Sequence, residues 1–243
     1  MTTGKGFITK TQALVVKDLR LELRARDTLP PMLIFALAVA LLLAFTIPDT
    51  ANVSDPAPTG AGNVALANVL AGFLWITILF AGLIGFARTF EVERREAAIE
   101  SLLLVPVDRS ALFLAKATAN LAYIVLVQLF VVPLFVLLFG LELSGALGPL
   151  LLIIFLVDVG FVAVGTLFSS LAARTSSREL MLPIIALPAL VPLFIAATEL
   201  TSTLFLGGDI DTVTAQGWFG ILVAFDIIFG IVGALSFEFT LDT

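Results

Sequence analysis

The sequence predicts an all-α membrane protein with six transmembrane helices, and three observations carry that prediction. Apolar residues make up 60% of the 243, against roughly half in an ordinary soluble domain. They are gathered into runs that reach the ~20 residues a spanning helix needs. Residues 28–48, 56–87 and 117–141 hold no charge at all; 143–173, 180–206 and 212–237 hold one acid each, Asp158, Glu199 and Asp226. Finally, all 13 Lys and Arg fall in stretches that alternate with these runs so as to lie on one side.

Those stretches are a tail (Lys5, Lys10, Lys17, Arg20, Arg24, Arg26), a second segment (Arg88, Arg94, Arg95, Arg109, Lys116) and a third (Arg174, Arg178). The loops at 48–68, 140–148 and 207–216 carry no basic residue. Translocation disfavours Lys and Arg, so the basic side is expected to be the cytoplasm and both termini are expected there. The spans are expected at roughly 30–48, 68–88, 112–139, 147–170, 180–202 and 217–237. The chain then divides into a cytoplasmic tail (1–29), a transmembrane domain (30–237) and a short cytoplasmic C-terminus (238–243). The first span starts too late and runs too long for a cleaved signal peptide.

Composition excludes much chemistry. There is no cysteine and no histidine, which removes disulfides, thiolate sites, the commonest metal ligand and the usual general base. No metal site and no catalytic residue is expected. Gly4-Lys5-Gly6 lacks the spacing, the Ser/Thr and the preceding strand of a phosphate loop. The chain is therefore expected not to be an enzyme and to bind no cofactor of its own. Work against a gradient would need a partner subunit or an ion gradient. Nothing points to nucleic acid.

Residues 8–24 read as a helix lying on the membrane surface. Ile8, Val15, Val16, Leu19 and Leu23 share one face and Lys10, Lys17, Arg20 and Arg24 the opposite one, with Leu14 and Leu21 breaking the pattern. The basic face would meet anionic lipid headgroups; the plainer alternative is an ordinary basic flank. Asn52–Gly62 is rich in Pro and Gly and reads as an external turn-rich loop.

The polar stretch 88–116 starts as a helix and stops at Pro106. Glu93, Glu96 and Glu100 form one stripe, Val92, Ile99 and Leu103 a neighbouring one, and Glu91 can pair with Arg95. This is either a solvated loop helix or a docking helix for a cytoplasmic partner, and the residues alone leave both open.

Polar groups inside the spans are functional candidates because hydrocarbon makes them costly. These are Gln128 in the third span, Asp158 in the fourth, Glu199 in the fifth and Asp226 in the sixth. They serve either as proton or substrate contacts, or as neutral acids bonded within the bundle. Pro183, Pro188 and Pro192 should bend the fifth span. Gly82, Gly85, Gly160 and Gly165 allow close helix contact.

Three stretches together resemble the haem exporter protein B family, the membrane subunit of the ATP-binding-cassette complex of cytochrome c maturation. They are KDLRLELRARDTLPPMLIFALAVALLLAF at 17–45, FEVERREAAIESLLLVPVDRSALFLAKATANL at 90–121 and LAARTSSRELMLPIIALPALVPLFIAATE at 171–199. The resemblance implies a permease similar to type-2 ABC exporters, with an N-terminal interfacial helix and a coupling helix at about 91–104. It implies ATPase-coupling roles for Glu91, Glu93, Arg94, Arg95, Glu96 and Glu100, with Arg174, Arg178 and Glu179 adding to them.

The implied partners are a cytoplasmic ABC ATPase, other cytochrome c maturation membrane subunits, a haem chaperone and membrane lipids, in the inner membrane of a prokaryote. The complex would use ATP, and haem would be a handled ligand. With neither His nor Cys, and only Tyr123 and three Met as substitutes, the chain offers no good axial ligand for haem iron. The expected role is mechanical, in haem export or release of the haem chaperone. The alternatives are an ABC-2-type permease for another substrate, an ion-coupled secondary carrier using Asp158 and Asp226, and a scaffold.

Overall fold

A computed structural model of the chain describes residues 12–17, 20, 28–47, 61–88, 109–141, 145–172 and 178–240. The regular structure among these residues is helical. In order, the helices are α1 (Leu29–Thr46), α2 (Ala61–Arg88), α3 (Arg109–Phe139), α4 (Leu147–Ala172), α5 (Arg178–Phe205), α6 (Ile210–Thr214) and α7 (Gly217–Thr240). Residues 12–17 are helical as well.

Helices α1 to α5 are long and apolar enough to cross a membrane. The 24 residues of α7 reach about 36 Å at 1.5 Å per residue, also enough to span. With α7 counted by its length, six helices are long enough to cross a membrane, the expected number. Their ends differ from expectation. Helix α2 begins at Ala61, within the stretch expected to be an external loop, and α5 runs on to Phe205. A hydropathy window reports the stretch that fits hydrocarbon, whereas a helix continues while its backbone stays unbroken. The 207–216 connection is likewise not all turn, because Asp209 caps the single turn α6 through the Thr212 N–H.

Helix α1 shows how such a chain is built. Pro30 and Pro31 stand in its first turn, where a missing N–H costs nothing. Met32, Ala36, Ala40 and Leu43 form its one buried stripe. The rest, including Ile34, Leu42 and Phe45, is apolar yet exposed. A helix apolar all round with one buried stripe suits lipid on its other faces.

Helix α4 lies inside the bundle and packs against α2, α3, α5 and α7. Every residue from Gly160 to Leu167 is buried. Its seam with α2 is reciprocal. A Cβ on Gly82 of α2 would overlap the Phe161 ring of α4, and a Cβ on Gly165 of α4 would overlap the Phe86 ring of α2. Each helix thus presents one glycine and one phenylalanine, a turn apart, to the complementary pair on the other. The aromatic contacts continue into α5: Phe161 meets Phe194 edge-on at 5.1 Å, and Phe194 meets Trp75 at 6.0 Å. Trp75 Nε1 closes the chain by donating to Thr201 Oγ1 at 2.9 Å.

The other two glycines expected at close contacts are used in the same way. Gly85 receives Met32 of α1, and Gly160 receives Asp226 and Phe225 of α7. Two helix ends close through glycines of positive φ, Gly140 and Gly207. Leu141 N–H then reaches back to Val136 O, and Gly208 N–H to Thr203 O, the pattern of a Schellman stop. Helix α5 is continuous through Pro183, Pro188 and Pro192.

Candidate functional site

The polar groups buried in the membrane region are concentrated between α3 and α4. On α3, Lys116, Asn120 and Gln128 stand on one stripe and are all buried. Asn120 Nδ2 donates to Thr166 Oγ1 of α4 at 2.9 Å. Gln128 Nε2 donates to Asp158 Oδ1 of α4 at 2.7 Å. The donors are about two turns apart on α3, and the acceptors are about two turns apart on α4 in reverse order. The two bonds therefore fix one antiparallel register. Thr166 and Asp158 are buried as well, so this polar seam lies inside the bundle.

Two oxygens of this region are buried without a hydrogen-bond partner, Gln128 Oε1 and Asp226 Oδ1. Asp226 sits on the opposite side of α4's contacts from Gln128, over Gly160, where a Cβ would lie 2.6 Å from its Oδ1. Asp158 and Asp226 thus engage different neighbours, α3 and α4 respectively. Glu199 is separate from both. It is half-buried on α5, and its backbone carbonyl accepts from Ser202 and Thr203 hydroxyls. Of the four intramembrane polar candidates, the structure joins Gln128 to Asp158 and leaves Glu199 apart.

Among the described residues no group of three or more His, Cys, Asp or Glu could hold a metal ion. Outside the spans, Asp209 is held below the ordinary carboxylate range, first by the Thr212 hydroxyl and then by the Thr212 backbone N–H.

The proposed coupling residues Glu91, Glu93, Arg94, Arg95, Glu96, Glu100 and Arg174 lie outside the described residues, and Arg178 and Glu179 fall in the first turn of α5. In the interfacial segment, Lys10 and Arg24 also lie outside them, whereas Lys17 is half-buried and Arg20 exposed. Leu14, which breaks the expected amphipathic pattern, is half-buried beside Val15, while Val16 is exposed.

Helices of this length and order, with polar groups at these places, suit many membrane proteins; the match to known proteins is what decides among them. The family model of the CcmB protein matches residues 9–242. The chain belongs to the CcmB family. It is also 29% identical over 189 residues to haem exporter protein B of Rhodobacter capsulatus, a match covering 78% of this chain and 81% of that protein. The CcmB match includes all seven helices, the segment 91–104 and the polar seam. As a family member this chain is a multi-pass membrane protein and not an enzyme.

Sequence reasoning singled out Gln128 and Asp158 but did not pair them, and it missed Asn120, Thr166 and the Trp75–Thr201 bond. Asn120 and Gln128 share a helical stripe, and so do Thr166 and Asp158. That shared spacing was the available signal.

Proposed function

We propose that this chain is the membrane subunit of an ABC transporter complex that exports haem, or releases a haem-loaded chaperone, in c-type cytochrome biogenesis. The observation that carries this reading is the CcmB family match over residues 9–242. The name of the Rhodobacter capsulatus relative, haem exporter protein B, points the same way.

In this reading ATP hydrolysis belongs to a cytoplasmic ATPase subunit that docks on the segment 91–104. The stripe of Glu93, Glu96 and Glu100 supports that role, because an acidic edge on a short amphipathic helix is a specific handle for a partner. Arg174, Arg178 and Glu179 would contribute from the neighbouring connection. The clustering of all 13 cationic residues on one side supports placing both termini in the cytoplasm of a prokaryote, with the chain in its inner membrane. Residues 8–24 would lie on the lipid surface.

Haem iron would be held by partner subunits. A chain of 243 residues without His or Cys lacks the side chains that usually ligate it. The work of this subunit is then mechanical: closure of the ATPase moves the helices, and the helices rearrange the membrane complex.

The test is deletion of the gene followed by haem staining of c-type cytochromes in membranes. Loss of covalently attached haem, restored by the wild-type chain and not in an ATPase-dead background, supports the proposal. Normal haemylation in the deletion strain would instead favour a permease for another cargo. Restoration in the ATPase-dead background would point to a scaffold.

A further inference from the structure

The Gln128 amide is half satisfied. Its Nε2 donates to Asp158 Oδ1 at 2.7 Å, while its Oε1 is buried with no donor. Asp158 is only 2% exposed and stands near the middle of α4. An ionised carboxylate accepts hydrogen bonds and offers none, so it could serve the nitrogen of this amide but never the oxygen. It would also be a bare charge in a low-dielectric region. A neutral carboxylic acid carries both an acceptor and a donor on one plane, the complement of a primary amide.

The geometry points to a membrane-embedded proton site made of Asp158 and Gln128, in which Asp158 is the neutral acid, its O–H donating to Gln128 Oε1 while Gln128 Nε2 donates to its other oxygen. The ligand is one proton, taken from water as the helices assemble. The proton completes a two-bond clasp between α3 and α4, and separation of these helices would expose the acid and let it go.

Among the described residues no cation stands beside the pair to replace the proton. On α3 the ionisable groups are Arg109, which begins the helix, Lys116 and Tyr123, and Lys116, the nearer cation, is about 18 Å along the helix from Gln128 at 1.5 Å per residue. On α7 the groups are both acids, Asp226 over Gly160 and Glu238 about 18 Å further along the helix. On α5, Leu193 faces Gly160, and Glu199 is about 9 Å further along. Arg178 and Glu179 begin that helix, and on α2 the ionisable residue is Arg88, which ends it.

The test is infrared spectroscopy of the purified full chain in lipid nanodiscs at neutral pH. The wild type should show the C=O stretch of a protonated carboxylic acid, shifted in heavy water. Asp158→Asn should lose that band, and Asp226→Asn should keep it. Gln128→Leu, which removes the amide partner, should move the band to the higher frequency of a less hydrogen-bonded acid.

Asp158→Asn also preserves a donor and an acceptor opposite Gln128, so its melting temperature should stay near that of the wild type. Absence of the band in the wild type, or its survival in Asp158→Asn, would overturn the proposal. If Asp158→Asn does not fold, the Gln128→Leu frequency shift decides alone, and an unmoved band would sink the idea. The readout involves no cargo, so it stands or falls separately from haem export.

Discussion

Phe86 of α2 and Phe161 of α4 meet edge to face at 5.0 Å, with their ring planes 85° apart. Each ring also occupies the space over a glycine of the other's helix. Small residues let membrane helices approach closely, and here the rings convert that closeness into a specific fit.

Gly82→Ala and Gly165→Ala should therefore each destabilise the chain by about 1–3 kcal/mol, the usual cost of overfilling a packed contact. Gly220→Ala should be near neutral, because nothing lies within 4 Å of a Cβ there. Thermal unfolding in detergent checks all three. Combining Gly165→Ala with Phe86→Leu should recover part of the loss, since it removes the atoms that would collide.

Trp75 is 1% exposed and Trp218 is 36% exposed. In Trp218→Phe the remaining emission should be shielded from an aqueous quencher, whereas in Trp75→Phe it should be quenched readily. Trp75→Phe should also cost about 1 kcal/mol, the net worth of the lost bond to Thr201. Quenching that did not differ between the two variants would contradict the placement of Trp75.

The two bonds of the α3–α4 seam invite a double-mutant cycle. Asn120→Ala with Thr166→Val should show a coupling of about 0.6 kcal/mol, the average found for hydrogen bonds between membrane helices. Asn120→Ala with Ser202→Ala should show none, because Ser202 bonds within α5. Reversible unfolding in mixed micelles gives the four free energies each cycle requires.

Changing Glu93, Glu96 and Glu100 together to Ala should abolish co-purification of the proposed ATPase subunit while the chain remains monodisperse by size-exclusion chromatography. Retained association would move the docking surface elsewhere.

Asp209 gives a local pH dependence. Its carboxyl is held below the ordinary range by Thr212, so the folded form prefers the ionised state. The resulting stabilisation is present above the unfolded value and is lost as pH falls through the folded one. Hydrogen exchange at the Thr212 amide, which donates to Asp209 Oδ1 at 2.9 Å, should show weaker protection on acidification once corrected for intrinsic rates. Asp209→Asn should flatten that response.

The spans and the polar residues within them were legible because hydrocarbon penalises charge, and each of Asp158, Glu199 and Asp226 interrupts an apolar run. Gly82, Gly85, Gly160 and Gly165 were legible as contact points for a similar reason: a bare backbone inside a span needs a use. Their partners were not. Nothing in composition says that Phe86 faces Gly165 and not another helix, because the register between helices is settled by packing across the whole bundle. Asp158 and Asp226 looked alike in the sequence, both single acids in apolar runs, and only their neighbours Gln128 and Gly160 distinguish them. The start of α2 at Ala61 was missed because Gly60, Gly62 and the nearby prolines signal a turn more strongly than the following helix formers signal a helix.

The three prolines of α5 have a mechanical consequence. Each removes the amide that would bind the carbonyl four residues earlier, so Glu179, Ile184 and Pro188 lose their usual helical donors. The far half of the rod is anchored by the Trp75 bond to Thr201 and the Gln216 bond to Thr203. Helix α5 thus gives up backbone bonds toward its Arg178 end and gains side-chain ties toward the other. A shove arriving near Arg178 would be taken up as bending before it reached the aromatic core.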